Sequence, residues 1–92
     1  METNGKLEAA VEHVTGKMSW QQVVQRQPYT CVVTEYIGAL DGKMKVYTGR
    51  GFSKCQHPDV YNADEGKARA WDKARADIAR QLVADGWEPE GA

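Results

Sequence analysis

The 92 residues predict an α+β domain: an antiparallel, hairpin-based sheet packed against a long C-terminal helix, with one or two short N-terminal helices. Three observations carry this expectation. Tyr29–Ile37 (YTCVVTEYI) is dense in β-branched and aromatic residues, as a strand requires. Asp41-Gly42 supplies the positive φ that a two-residue hairpin turn needs, and Lys43–Lys54 returns beside the first strand. Further on, Trp71, Ala74, Ile78 and Leu82 recur at helical spacing, with Ala68 and Ala79 small enough to let that helix lie close to a sheet.

At the start of the chain, Leu7, Ala10, Val11 and Val14 form a helical stripe ended by Gly16, which predicts a short helix over residues 4–15. Ser19-Trp-Gln-Gln22 then has the form of a capping box, with Met18 and Val23 spaced for a hydrophobic staple; this predicts a second short helix before Pro28. A strand over residues 20–26 is the alternative, since Val23 and Val24 are β-branched. A two-residue turn at 41–42 sets Leu40 opposite Lys43, Ile37 opposite Val46, Tyr36 opposite Tyr47 and Cys31 opposite Phe52. With strict alternation, Cys31, Val33, Ile37, Met44, Val46 and Phe52 share a face that reads as the core. Thr30, Thr34, Tyr36, Lys43, Lys45 and Tyr47 share the other, which reads as solvated. Gly49 and Gly51 interrupt the second strand and imply a bulge or the close approach of another backbone. The long helix is expected from about Asp64 to Asp85, capped by Gly86, with Trp87 folding back on Leu82 and residues 87–92 forming a frayed tail.

The length suits one globular domain, residues 1–92, with a core too small to enclose a deep pocket. No run approaches a membrane span or a secretory signal, which points to a cytoplasmic setting with both Cys31 and Cys55 reduced. The formal net charge of −1 argues against a strong non-specific polyanion binder. From Lys43 to His57, however, Lys43, Lys45, Arg50 and Lys54 occur without a carboxylate.

Chemistry-bearing patterns are incomplete. Cys55 and His57, with Cys31 or His13, do not make the paired clusters of a structural zinc site, so neither metal nor cofactor is expected. The same Cys55 and His57 could form a thiol dyad, but no third group orients them. Gly49-Arg50-Gly51 matches neither phosphate-loop pattern, and Asp64 and Glu65 at the following helix start would repel an anion. The surface pattern is more informative: Tyr36, Lys43, Lys45, Tyr47, Arg50 and Lys54 read as a basic ribbon with interleaved aromatics, suited to nucleic acid or an acidic protein. In this reading Arg50 joins the ribbon only if the glycines turn it outward. Arg69, Lys73 and Arg80 make a secondary basic face, flanked by Asp72 and Asp77.

The run of strand, Gly49-x-Gly51-x-Ser53-Lys54 and a helix bearing Lys67, Ala68, Ala70 and Ala74 resembles the C-terminal half of the double-stranded RNA-binding domain. That resemblance implies β-β-α packing and, as an alternative function, duplex binding with Lys54, Lys67 and Lys73 on phosphates. The chain departs from the family where Cys55 replaces a second lysine, where QHPDVYNADE is inserted, and where a Gly-Pro-x-His loop is absent. In size, near-neutral charge and lack of a catalytic set, the chain is also similar to accessory proteins of bacteriophages, anti-CRISPR inhibitors among them. This second resemblance implies a non-enzymatic protein that binds a host ribonucleoprotein or protein complex and blocks target DNA recognition by a guide RNA, with direct contact to RNA or DNA open and no small-molecule substrate.

Overall fold

The computed structural model describes residues 2–26, 28–40, 42–54 and 63–89. The element order is α1 (Glu2–Val14), β1 (Met18–Arg26), β2 (Tyr29–Leu40), β3 (Lys43–Lys54) and α2 (Ala63–Ala84). The three strands form one antiparallel sheet in the order β1-β2-β3, and α1 and α2 pack on one side of it around a shared core. No described helix is long and apolar enough to cross a membrane.

Residues 19–26 are strand rather than helix. Val23 and Val24 pair with Val32 and Cys31, and the chain turns back through only two residues, since Arg26 pairs with Tyr29. Sheet pairing outweighs the capping pattern: the Ser19 hydroxyl donates to the Glu35 carbonyl at 3.4 Å instead of capping a helix. An irregularity between Met18 and Trp20 adjusts the start of the strand.

The β2–β3 register is the one predicted, from Leu40 opposite Lys43 to Cys31 opposite Phe52, and it runs without a break. Gly42 has φ of 77°, as a tight turn requires. Asp41 lies outside the described residues.

What is inverted is the choice of face. The buried side carries Thr30, Val32, Thr34, Tyr36, Tyr47 and Ser53, whereas Ile37, Met44, Val46 and Phe52 are exposed. The cause lies in Gly49 and Gly51. A Cβ at Gly51 would stand 1.7 Å from the carbonyl oxygen of Ala70, and one at Gly49 would stand 2.4 Å from that of Ala74. These glycines admit α2 so closely that its backbone rests on β3. The helix answers with its own small residues, Gly66, Ala70 and Ala74, at four-residue spacing. No side chain larger than hydrogen fits at either strand position while the helix lies this close. The predicted bulge is absent; the close approach is what the glycines serve.

The rest of the core gathers beyond this contact. Ala10 and Val14 of α1 meet Tyr36, Tyr47, Ile78, Ala79, Leu82 and Trp87 in one cluster. Gly86, at φ 95°, ends α2. The Gly86 N–H donates to Val83 at 3.1 Å and the Trp87 N–H to Leu82 at 3.0 Å, the paired bonds of a Schellman cap. Trp87 is buried, and Lys6 pairs with Glu88 at 2.6 Å, so the start of the expected tail is held to the body.

The second edge of β3 is closed by α2 side chains. Lys73 donates to the Phe52 carbonyl at 2.9 Å, Asp77 accepts from the Arg50 N–H at 3.0 Å, and Gln81 donates to the Thr48 carbonyl at 2.9 Å. These groups would otherwise offer a pairing template, and spacing of four residues on the helix matches two on the strand.

Two glycine substitutions test the packing account. Gly51→Ala forces helix and strand apart and is expected to cost about 2–3 kcal/mol, read as a lowered midpoint of urea unfolding. Gly5→Ala in α1, where an added Cβ meets nothing within 4 Å, is expected to stabilise by about 0.5–1 kcal/mol.

Candidate binding face

Alternation along the three strands puts every second side chain on the side away from the helices. Pairing arranges them in rows: Arg26, Tyr29 and Lys54; Val24, Cys31 and Phe52; Gln22, Val33 and Arg50; Trp20, Glu35 and Thr48. Beyond β1, Ile37 pairs with Val46 and Ala39 with Met44. Among the described residues, the exposed large apolar side chains Trp20, Val24, Tyr29, Ile37, Met44, Val46 and Phe52 all lie here, between 42% and 76% exposed. A face three strands wide and up to twelve residues long covers roughly 500 Å² in plane. A patch of clustered apolar side chains on such a face is commonly a binding surface.

The two ends of this face differ chemically. At the end near the β1–β2 turn, Arg26, Arg50 and Lys54 surround an aromatic pair. Tyr29 stacks on Phe52 with ring centroids 5.5 Å apart, and the Lys54 ammonium lies 5.7 Å from the Tyr29 centroid. Among the described residues none of these three cations forms a salt bridge. At the far end Ile37, Ala39, Met44 and Val46 are wholly apolar. Glu35 is the single carboxylate in the three strands, and it accepts the Trp20 indole N–H.

The predicted basic ribbon is therefore divided. Arg50 and Lys54 stand on the open face, and Arg50 does so by ordinary alternation. Tyr36 and Tyr47 are buried on the helix side, their rings 6.3 Å apart. They are core residues and offer no exposed aromatic pair. Lys45 and Lys43 belong to that same side by register, and Lys45 is paired with Asp85 at 3.0 Å. On the secondary face, Arg69 pairs with Glu65 at 2.5 Å and Lys73 serves the β3 edge, while Arg80 is exposed. Arg26, Trp20 and Tyr29 fall outside the predicted ribbon for two reasons: the capping pattern predicts helix over β1, and the face that Tyr29 shares with Cys31 and Ile37 reads from the sequence as core. Only strand pairing of β1 together with the inverted face brings all three to the open side.

The duplex reading needs Lys54, Lys67 and Lys73 on one surface. Lys54 stands on the open sheet face, Lys73 at the β3 edge, and Lys67 lines a groove with Gln21 and Trp71 on the β1 side. Two residues between β1 and β2 also leave no loop to enter a groove of a duplex. Cys55 and His57 lie outside the described residues, which contain no cluster of metal-ligating side chains. Compared with known proteins, the chain matches no family model, no curated sequence and no solved structure.

On the helix side, the two tyrosine hydroxyls are tied into the core. The Tyr47 hydroxyl donates to Asp85 at 2.8 Å, and Tyr36 shares a 2.8 Å hydrogen bond with His13. Burial, aided by the Asp85 carboxylate, pushes the Tyr47 hydroxyl up to about 12 from its ordinary 10.0. Burial likewise raises Tyr36. Hydrogen bonds from Lys45 and Tyr47 hold the Asp85 carboxyl below its ordinary 3.8.

The raised Tyr47 value means its contribution is complete below pH 10 and is lost as pH rises toward 12. The lowered Asp85 value means its contribution is present above pH 3.8 and is lost on acidification below it. Thermal melts across pH are expected to fall at both extremes. Asp85→Asn should flatten the acid fall and bring one tyrosine titration, followed at 295 nm, back toward pH 10.

Proposed function

We propose that this chain is a non-enzymatic binding protein that docks on a host nucleoprotein complex through the outer face of its sheet. In its most concrete form it is a phage-type inhibitor that keeps a guide-RNA surveillance complex from recognising target DNA. The observation that carries this reading is the gathering on one face of the seven large exposed apolar side chains among the described residues, beside three cations without described ion-pair partners. The apolar end of Ile37, Met44 and Val46 fits a protein surface. The end with Arg26, Arg50 and Lys54 fits phosphate or carboxylate groups. A nucleoprotein presents both within one footprint, and the division of the face supports it over naked nucleic acid.

In this reading Arg50 and Lys54 bind together with Trp20, Arg26, Tyr29, Ile37, Val46 and Phe52, while Tyr36 and Tyr47 serve the core.

Purified guide-RNA complexes are the test, with target-DNA binding read by gel shift. Wild type is expected to reduce it. Phe52→Asp or Val46→Asp should weaken inhibition by about 30-fold or more, the loss of a central hot spot. Arg50→Glu with Lys54→Glu should weaken it further and remove its salt sensitivity. Arg80→Ala, away from the face, should change nothing. Target-DNA binding that is untouched by wild type in every complex type, or equal potency of the Asp variants, rejects the reading. Tight, steeply salt-dependent binding of free duplex instead favours the nucleic-acid-binding alternative.

A further inference from the structure

At the end of the outer face near the β1–β2 turn, cations and flat or apolar groups alternate row by row. Arg26, Tyr29 and Lys54 make one row, Val24, Cys31 and Phe52 the next, and Gln22, Val33 and Arg50 the third. Along β3 alone, Arg50 and Lys54 stand roughly 14 Å apart, four residues at the antiparallel rise, with Phe52 between them. Phe52 is 52% exposed and Tyr29 42%, so both rings of the stacked pair meet solvent. Gln22, Arg26, Arg50 and Lys54 are exposed as well. Glu35, the single carboxylate of the three strands, stands one row beyond Arg50 and accepts the Trp20 indole N–H.

We infer that this end binds a short stretch of unpaired nucleic acid, with a base stacked on Phe52 and Tyr29 and the flanking phosphates on Arg50 and on Lys54 with Arg26. Two features select a single strand. Phosphate and base alternate along an extended strand, and cation and ring alternate here in the same order. In a duplex the base faces are covered by their neighbours, so a flat sheet would meet phosphates alone and its two exposed rings would gain nothing. An unpaired base has an open π-face that an aromatic ring can cover, whatever the base. A carboxylate-bearing protein would use the cations but has no regular flat group to set between them. Gln22, in the Arg50 row, adds an amide able to donate to and accept from a base edge. With a formal net charge of −1 the chain holds phosphates only modestly, and stacking supplies the selectivity. The inference rests on the proposed function for the source of the strand, an unpaired guide or target segment, and it leaves Ile37, Met44 and Val46 to the protein component.

Fluorescence anisotropy of a labelled oligothymidylate titrated with the full chain tests it, beside a duplex of equal length and polyglutamate as competitor. The expected result is single-strand binding at least tenfold tighter than duplex binding. Phe52→Leu keeps an apolar side chain on the face but removes the ring, and should weaken oligothymidylate binding about tenfold with an unchanged circular dichroism spectrum. Should that spectrum change, the single-strand to duplex ratio of wild type still decides. Arg50→Gln with Lys54→Gln should lower the slope of log affinity against log salt by about 1.4, two phosphate contacts on a single strand. Equal affinity for duplex overturns the inference, as does full affinity in a folded Phe52→Leu variant or no oligothymidylate binding at millimolar protein. Displacement by polyglutamate as effective as by unlabelled oligothymidylate overturns it too, in favour of an acidic protein partner. Inhibition of guide-RNA complexes is read separately. Inhibition without oligothymidylate binding removes this inference and leaves the docking reading, and single-strand binding without inhibition does the reverse.

Discussion

The contact between the backbone of β3 and the small-residue stripe of α2 is the constraint from which the rest of this structure follows. Gly49 and Gly51 leave no room for a Cβ, and Ala70 and Ala74 rest where those atoms would be. Close packing there is a matter of exclusion rather than of large apolar area, because neither partner buries much hydrocarbon. The gain comes from contacts at interior density along a long helix. Once α2 is seated, its flank reaches the edge of β3, and its end brings Gly86 and Trp87 onto α1. The bulky residues of the hairpin are left on the far side.

That arrangement explains an unusual division of side chains. Apart from Val14, Val32, Ile78 and Leu82, the aliphatic core on the helix side is largely alanine, completed by two tyrosines and Trp87. Tyrosine brings a hydroxyl into the interior, and each hydroxyl has a partner, His13 for Tyr36 and Asp85 for Tyr47. Meanwhile Phe52, Ile37 and Val46, which a core could use without any such partner, lie outside. A chain of this size that leaves its best apolar groups in water gains a surface with a high intrinsic drive to be covered.

Much of the fold could be read from sequence where local chemistry is decisive. Asp41-Gly42 fixed the hairpin register, the four-residue stripe located α2, and Gly86 with Trp87 announced its cap. Residues 19–26 misled because the capping pattern and the β-branched pair point in opposite directions, and only the neighbouring strand resolves the conflict. The face assignment failed for a different reason. Both faces of the hairpin carry apolar residues, and ranking them by bulk selects Cys31, Ile37 and Phe52. The informative signal was smallness: glycines on alternate strand positions and small residues at every fourth helix position belong together. Of the candidate site, only Arg50 and Lys54 were legible, since the aromatic pair was assigned to the surface by that same inversion.

The capped edge of β3 also sets a limit on growth. A sheet with two bare edges is open-ended: each added neighbour exposes another edge, and addition continues into a filament. Here one boundary is sealed by Lys73, Asp77 and Gln81, so growth of the sheet past β3 is blocked. The helix that seals this boundary is the one the two glycines admit.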